Sequence, residues 1–288
     1  MTPGRHADRR RRRRALRSLS RIAAGTFLSV VALAPVAWER FPAFGLVFTP
    51  ETNPTPPKSP ADPDQQVDDG GVPSVGTVIS PDAEYPTSTD PGFRYFASFG
   101  DRPPIVSTCS PFPFVIRRDS GPPKGGELVV GGLQRIANAT GISFEFKGFT
   151  DKIYSFNESR TAWPWDDDRQ ALWIGWAFDS EVPDLGPRSD SEPYAVGVGG
   201  PITVERGDGE EIVGGGVVLR ADEALAVTFG SGSNFGNVLL HELGHAMGLD
   251  HVELESEIMF PVITEGTPAD FAAGDLAGLQ GIRAVCDA

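Results

Sequence analysis

The spacing of hydrophobic and polar residues differs from one stretch of this chain to the next, and each pattern predicts an element. Residues 142–147 (ISFEFK) alternate apolar and polar side chains, which is typical of a strand with one wet face. Residues 172–178 (LWIGWAF) form a continuous apolar run, as expected for a central strand buried on both faces. Residues 127–139 have an apolar spacing closer to that of a helix, which ends at Thr140-Gly141.

The same patterns predict the remaining elements of the chain. They comprise a short strand at 113–118, two extended segments at 194–198 and 216–220 separated by a Gly-rich loop, and helices at 234–247 and 275–285. This order predicts an α+β fold in which helices pack against a mixed sheet of five strands.

The composition changes sharply before residue 92. Ten prolines fall between residues 50 and 92, among Asp, Thr, Ser and Gly, with no helical or strand period. We therefore predict a Pro-rich linker over 49–91 and one folded domain over 92–288, which is long enough for a single core.

The N-terminal 48 residues have a different character. Arginines at 9–14, Arg17 and Arg21 precede the uncharged stretch 22–38, a basic-then-apolar order that is typical of an export signal or a membrane anchor. Ala32-Leu33-Ala34 offers a small-residue cleavage site, whereas seventeen residues are just long enough to span a bilayer, so both outcomes stay open. We expect the rest of the chain to lie outside the cytoplasm, secreted or tethered to the outer face of the membrane.

The charge of the whole chain, −14, averages two opposite regions. Residues 1–40 carry ten arginines and two acidic residues, which leaves residues 41–288 with 15 basic and 37 acidic residues and a net charge of −22. Such an acidic body argues against nucleic acid as a partner, because phosphate contacts need clustered Lys and Arg. Calcium binding, for instance at the acidic run 166–168, is conceivable but has no further support in the sequence.

One short segment carries a pattern typical of a metal site. Residues 241–251 read HELGHAMGLDH. On a helix, His241 and His245 are four residues apart and project from one face, so both can bind one zinc ion. Glu242 lies about 100° further round the helix, where it can activate a zinc-bound water as general base. His251 is too far along a continuous helix to reach that ion, and Gly248 provides the sharp turn that returns it as the third ligand.

The segment matches the HExxHxxGxxH motif of the metzincin zinc proteases, which this chain therefore resembles. Met259, followed by Phe260-Pro261, is similar to the methionine turn of that family, and the short gap before it most resembles compact bacterial matrixins. The resemblance implies one catalytic zinc, a protein or peptide substrate, and a twisted five-stranded sheet with an active-site helix, a backing helix and a C-terminal helix. It gives Gly248, Met259 and Pro261 supporting roles.

The two cysteines, Cys109 and Cys286, depart from the matrixin pattern. The context of Cys109 (VSTCSP) does not match the Pro-Arg-Cys-Gly latency segment of that family. An even cysteine count in an exported chain predicts one disulfide, with two buried thiols as the alternative.

Two other functions fit the motif. A zinc-binding adhesion module without turnover would use the same ligands, although it would not need Glu242. A zinc hydrolase of non-peptide substrates would use the same chemistry. The sequence predicts neither the preferred cleavage site nor the oligomeric state.

Overall fold

The computed structural model describes residues 29–33, 72–100, 102–108, 110–154, 171–186, 194–206 and 209–285. Within these ranges the chain forms three α-helices and ten strands. The helices are α1 (Gly125–Thr140), α2 (Phe235–Ala246) and α3 (Ala273–Gly281). The strands are β1 (Ser29–Leu33), β2 (Val78–Ile79), β3 (Ile105–Ser107), β4 (Phe112–Arg117), β5 (Phe144–Thr150), β6 (Leu172–Ala177), β7 (Ala195–Arg206), β8 (Gly209–Arg220), β9 (Val262–Ile263) and β10 (Arg283–Val285).

All ten described strands belong to one mixed sheet. Eight of them follow the order β2-β5-β4-β6-β8-β7-β1-β9, while β3 pairs with β8, and β10 pairs with β3. β4, β5, β6 and β8 run parallel, whereas β7 is antiparallel to β8. The predicted α+β class is confirmed, with its mixed sheet and three helices. β4 to β8 are the five longer strands that the patterns predict, and five strands of two to five residues extend the sheet. Strands this short have too few residues for an alternation to show.

The core lies on both faces of the sheet. On one face α1 packs against α2, because its buried residues recur at helical spacing: Leu128, Val129, Leu133, Ile136 and Ala137. Gly132 of α1 leaves room for α2, since a Cβ there would lie 2.8 Å from Leu239. The opposite face buries a second cluster around Trp173. The sheet therefore holds α2 from one side while α1 covers it from the other.

The glycine-rich stretch between residues 198 and 216 differs from the prediction. Instead of a loop, it forms most of a hairpin in which β7 and β8 pair from Gly197↔Leu219 to Arg206↔Gly209. Its glycines are used for close packing: a Cβ at Gly216 would collide with the ring of Tyr154. Glycine usually marks loops because it is flexible, so a strand that needs it for space resembles a loop in sequence.

The domain contacts begin earlier in the chain than the predicted boundary at Gly92. Residues 72–91, which we call the strap, lie along the domain. The amide of Asp82 donates to Asn138 of α1 (2.9 Å), the Tyr85 hydroxyl donates to Asp270 (2.9 Å), and the amide of Ser88 donates to Gln280 of α3 (2.9 Å). These hydrogen bonds, and the apolar contacts of the strap such as that of the buried Ile79, come from single residues spread along it, so they leave no hydrophobic period in the sequence. Residues 49–71 of the predicted linker lie outside the described residues.

Part of the predicted export segment enters the sheet. Residues 29–33 form β1, antiparallel to β7 (Val31↔Gly197) and parallel to β9 (Ala32↔Val262). The rest of 22–38 lies outside the described residues. Among the described helices, none combines the length and the apolar character that a membrane crossing requires.

Both cysteines, Cys109 and Cys286, also lie outside the described residues. Their neighbours are paired, because β3 and β10 run parallel with Ser107 opposite Val285, and the Thr108 amide donates to Val285 (2.9 Å).

Candidate metal centre

The helix α2 carries the first two of the predicted ligands. It begins at Asn234, whose side chain accepts a hydrogen bond from the amide of Asn237 (2.9 Å) and so caps the first turn. Every residue from Phe235 to Ala246 is buried, which fixes His241 and His245 between α1 and the sheet. Both imidazoles are fully inaccessible to solvent.

The chain turns back at Gly248, as the sequence predicts. Gly248 has a φ of +98°, and a Cβ there would lie 2.6 Å from Pro104, so both the backbone angle and the space require glycine. The amides of Gly248 and Leu249 donate to the carbonyls of His245 (2.9 Å) and Gly244 (3.0 Å) and close the helix end. This turn brings His251 alongside the two helical histidines.

The three imidazoles converge through their Nε2 atoms. The Nε2 of His241 lies 2.8 Å from that of His245 and 3.1 Å from that of His251. The Nδ1 atoms of His241 and His245 each lie 2.7 Å from a carbonyl oxygen, of Ile258 and Leu249 respectively. A carbonyl can only accept, so each Nδ1 carries the proton and each Nε2 has a free lone pair.

These lone pairs show what the site can hold. The Nε2 atoms of His241 and His245, 2.8 Å apart, both lack a proton and so cannot form a hydrogen bond with each other. A cation bound by both lone pairs would make this short separation favourable. Zinc–nitrogen bonds of 2.0–2.1 Å in a tetrahedron would separate the ligand nitrogens by about 3.3 Å, close to the separations found here. Among the described residues, these three histidines form the metal-ligand group.

Burial keeps the ligands neutral. It lowers the pKa of His241 to about 3, assisted by the nearby His251, and it lowers the pKa of His245 and His251 as well. Neutral imidazole is the form that binds a metal ion. The donor set and its protonation state both fit zinc.

Glu242 is the next residue of α2 and is fully buried. Neither carboxylate oxygen has a hydrogen-bond partner among the described residues, and burial raises the pKa of Glu242 well above its usual range. A buried carboxylate without a donor is costly, so its place calls for a water, a substrate group or a cation. Glu242 is not part of the three-histidine ligand group.

Two glycines of β7 give Glu242 its place. A Cβ at Gly197 would lie 2.8 Å from Glu242 Oε1, and a Cβ at Gly199 would lie 2.8 Å from Glu242 Oε2. β7 can therefore approach α2 closely only because both positions lack a side chain. Sequence reasoning missed both residues: Gly199 falls in the stretch predicted as a loop, and Gly197, within the predicted extended segment 194–198, has no side chain that would mark it as part of the site.

The predicted methionine turn lies beside the ligands. Met259 is buried with its sulfur against Gly244 of α2, and Pro261 leads from the turn into β9. The turn also provides the Ile258 carbonyl that orients His241. Its amides at Ile258 and Met259 donate to Asp275 of α3 (2.7 and 3.2 Å).

Asp275 is itself held by Glu257. The Asp275 amide donates to Glu257 Oε2 (2.9 Å), and both side chains are buried. Sequence reasoning did not single out either residue, because each acts across 16 to 18 positions of the chain.

Comparison with known proteins shows which family the site resembles. The matrixin family model matches residues 163–283, which include all three histidines, Glu242, the methionine turn and all of α3. Rat matrilysin (Rattus norvegicus) is 37% identical over 70 residues, which are 24% of this chain and 26% of matrilysin. Metalloproteinase-II from Bacteroides fragilis aligns with 68% of this chain and 59% of its own at 14% identity and a TM-score of 0.34.

The chain thus spans about a quarter of the length of the curated relative that it matches. The likeness is concentrated in the half of the domain that holds the metal centre, where motif, geometry and family model agree. Zinc is the metal that matrixins use, and the three-histidine group fits it. Over residues 163–283 this chain is therefore matrixin-like, and its His241, His245 and His251 form a group that could hold the zinc ion that matrixins use.

Proposed function

We propose that this chain is an exported zinc endopeptidase in which Glu242 is the general base. The observation that carries the proposal is the convergence of three neutral histidines beside a buried carboxylate that has no hydrogen-bond partner in the described part of the chain. When bound, zinc supplies Lewis acidity that lowers the pKa of a water molecule to about 7 and polarises a peptide carbonyl.

The residues of the chain supply the remaining chemistry. Glu242 accepts the water proton as the oxygen attacks the carbonyl carbon, and it donates that proton to the amine nitrogen as the C–N bond breaks. Its buried position favours this role, because desolvation makes the carboxylate a stronger base. The Nδ1 hydrogen bonds of His241 and His245 hold the two rings in the orientation that points Nε2 at the ion.

The sheet supports a peptide as the substrate. β7 lies directly beside Glu242 at Gly197 and Gly199. Along the edge that faces away from β8, it pairs with the extended residues 29–33. β9 pairs with the same residues in parallel. An extended peptide that adds to β7 and β9 in this way would pass along the catalytic residue, with main-chain hydrogen bonds on both sides.

The extracytoplasmic location is part of the proposal. Its support is the arginine-rich head followed by the uncharged stretch 22–38, which is also compatible with a membrane anchor. Protease added to intact cells should degrade the domain, and protection until lysis would contradict export.

The test of catalysis compares two substitutions in the full chain, assayed with a diverse peptide mixture. Glu242→Ala should lower cleavage by about 10² to 10⁴, because general-base help is worth that much, while zinc content stays near one per chain. His245→Ala should lose zinc, because it removes a ligand. Cleavage and metal content are both measured, with and without a chelator.

The outcomes separate the alternatives. Near-normal cleavage by Glu242→Ala with zinc bound would refute the assignment of the base. Zinc binding without cleavage of any peptide would indicate an adhesion module or a hydrolase of other substrates. Absence of zinc from the wild-type chain would refute the metal centre itself.

A further inference from the structure

The segment Arg94–Phe96, far upstream of the three histidines, is hydrogen-bonded to the turn after Gly248 that leads to His251. The Phe96 amide donates to the Gly248 carbonyl (3.1 Å), and the Asp250 amide donates to the Arg94 carbonyl (2.8 Å). Between these two bonds, Tyr95 and Leu249 form an antiparallel bridge. Arg94–Phe96 is therefore paired, residue for residue, with the turn between His245 and His251.

The side chain of Phe96 contacts a ligand directly. Its ring centre lies 5.5 Å from that of His245, with only 25° between the ring planes. Phe96 and His245 are both almost completely buried, so neither ring of the stacked pair can rotate out into solvent. The Nδ1 bond to Leu249 holds the edge of the His245 ring, and Phe96 covers its face.

The segment also joins the site to the strap. It follows residues 72–91 directly, and Tyr95 continues their contacts by donating from its hydroxyl to the Gly278 carbonyl of α3 (2.8 Å). The strap and Arg94–Phe96 both lie outside the region 163–283 that resembles matrixins. A part of the chain without that resemblance therefore touches the zinc centre.

We propose that Arg94–Phe96 is a positioning element of the zinc centre, with Phe96 fixing the plane of His245 and the backbone of 94 and 96 fixing the turn to His251. This inference rests on the zinc site of the proposed function. Because coupling between two bound groups is reciprocal, docking of this segment strengthens zinc binding and zinc strengthens docking of the segment.

The first experiment measures zinc affinity of the full chain by competition with a chromophoric chelator. Phe96→Leu keeps an apolar side chain and the backbone bonds but removes the flat ring face. Zinc affinity should fall about 10-fold to 100-fold, the usual effect of altering a group that orients a metal ligand. Cobalt substituted for zinc should show an altered visible spectrum, since the ligand geometry changes.

Phe112→Leu is the matched control, because Phe112 is equally buried but packs edge-on against Phe144 in β4 and β5. It should lose comparable stability to urea while keeping the wild-type zinc affinity and cobalt spectrum. Wild-type zinc affinity in Phe96→Leu would overturn the proposal. An equal loss in Phe112→Leu would also overturn it, because the effect would then be general destabilisation.

The second experiment tests reciprocity by hydrogen exchange of the full chain. The amides of Phe96 and Asp250 should exchange at least several-fold more slowly with zinc than with chelator, and equal rates would contradict the coupling. Both readouts are independent of catalysis. A chain that binds zinc but cleaves nothing would therefore refute the proposed function and leave this inference testable.

Discussion

At the scale of single residues, the place of the buried Glu242 carboxylate depends on two positions that have no side chain. Gly197 and Gly199 let β7 lie against Glu242, and a Cβ at Gly199 would also lie 2.9 Å from the Glu242 Cα. Contacts this short leave the added atom no room unless β7 and α2 move apart. The position of the Glu242 side chain is thus set by the sheet as well as by α2, the helix that carries it.

Gly199→Ala should therefore impair catalysis more than it impairs metal binding. We expect a loss of about 1–3 kcal/mol in unfolding free energy from overpacking, and a fall of about 10² in kcat/KM from displacement of Glu242, with zinc content unchanged. Kinetics, metal analysis and urea unfolding measure the three quantities.

Gly209→Ala is the matched control, since it lies in the same hairpin and a Cβ there would meet no atom of the described residues within 4 Å. It should leave kcat/KM unchanged. Wild-type kinetics in Gly199→Ala, or an equal loss in Gly209→Ala, would show that the close approach to Glu242 does not matter.

The sequence predicts some of these residues and not others for a physical reason. His241, Glu242, His245 and Gly248 are linked by local helix geometry and a helix-end turn, so their spacing alone indicates their roles. Gly199 and Phe96 act on the site across 43 and 149 positions, and no local period records such contacts. The clustering of the three histidines beside Glu242 is therefore predictable here, whereas the residues that position them are not.

At the scale of elements, α3 supports the metal site through one side chain. Asp275 accepts from the amides of Ile258, Met259 and Ala272, and it thereby holds the turn whose carbonyl orients His241. Burial raises the pKa of Asp275 from 3.8 to about 7, with a contribution from the nearby Glu257.

The sign of the resulting pH dependence follows from proton binding. Between about pH 4 and 7 the folded chain holds the Asp275 proton and the unfolded chain does not, so this group makes stability fall as pH rises through that window. Asp275→Asn should abolish this component. It should also destabilise the chain at every pH by about 1–3 kcal/mol, because its amide nitrogen cannot accept the hydrogen bonds that a carboxylate oxygen accepts.

Urea unfolding of both proteins in chelator, at pH 5 and pH 7.5, measures the effect. The histidine ligands titrate alike in the two chains, so the difference isolates Asp275. The same pH dependence in both would show that Asp275 does not hold its proton in this window.

Elements were predictable wherever their own residues determine them. The strands β4, β5 and β6 and the helices α1 and α2 lie within about three residues of their predicted ends. The hairpin β7–β8 was extended by pairing and packing that glycine permits, and the predicted helix over 275–285 ends at Gly281, after which β10 pairs with β3. Strand pairing determined both differences, between neighbouring strands in the hairpin and with the distant β3 in the case of β10.

At the scale of the whole molecule, β3 and β10 bring the two cysteine regions together. We expect Cys109 and Cys286 to form a disulfide in exported material. Cys109 directly follows Thr108, Cys286 directly follows Val285, and the backbones of Thr108 and Val285 are hydrogen-bonded to each other. Closing so long a loop could stabilise the domain by up to about 5 kcal/mol in the chain-entropy model.

Alkylation under non-reducing conditions followed by mass spectrometry checks the bond. No thiol should react in the wild-type chain, and one should react in Cys286→Ser, which should also unfold at lower urea. Two reactive thiols in exported wild-type material would refute the disulfide.

The positions of the groups that build the zinc centre also determine when it can form during biosynthesis. The bracing Phe96 is synthesised early, but the ligands span 241–251, and the Ile258 carbonyl and Asp275 come later still. A chain emerging from the ribosome therefore carries no complete site until Asp275 has been added. If the chain crosses the membrane unfolded, it acquires its metal only on the far side, so the zinc supply of that compartment limits how much active protein is made.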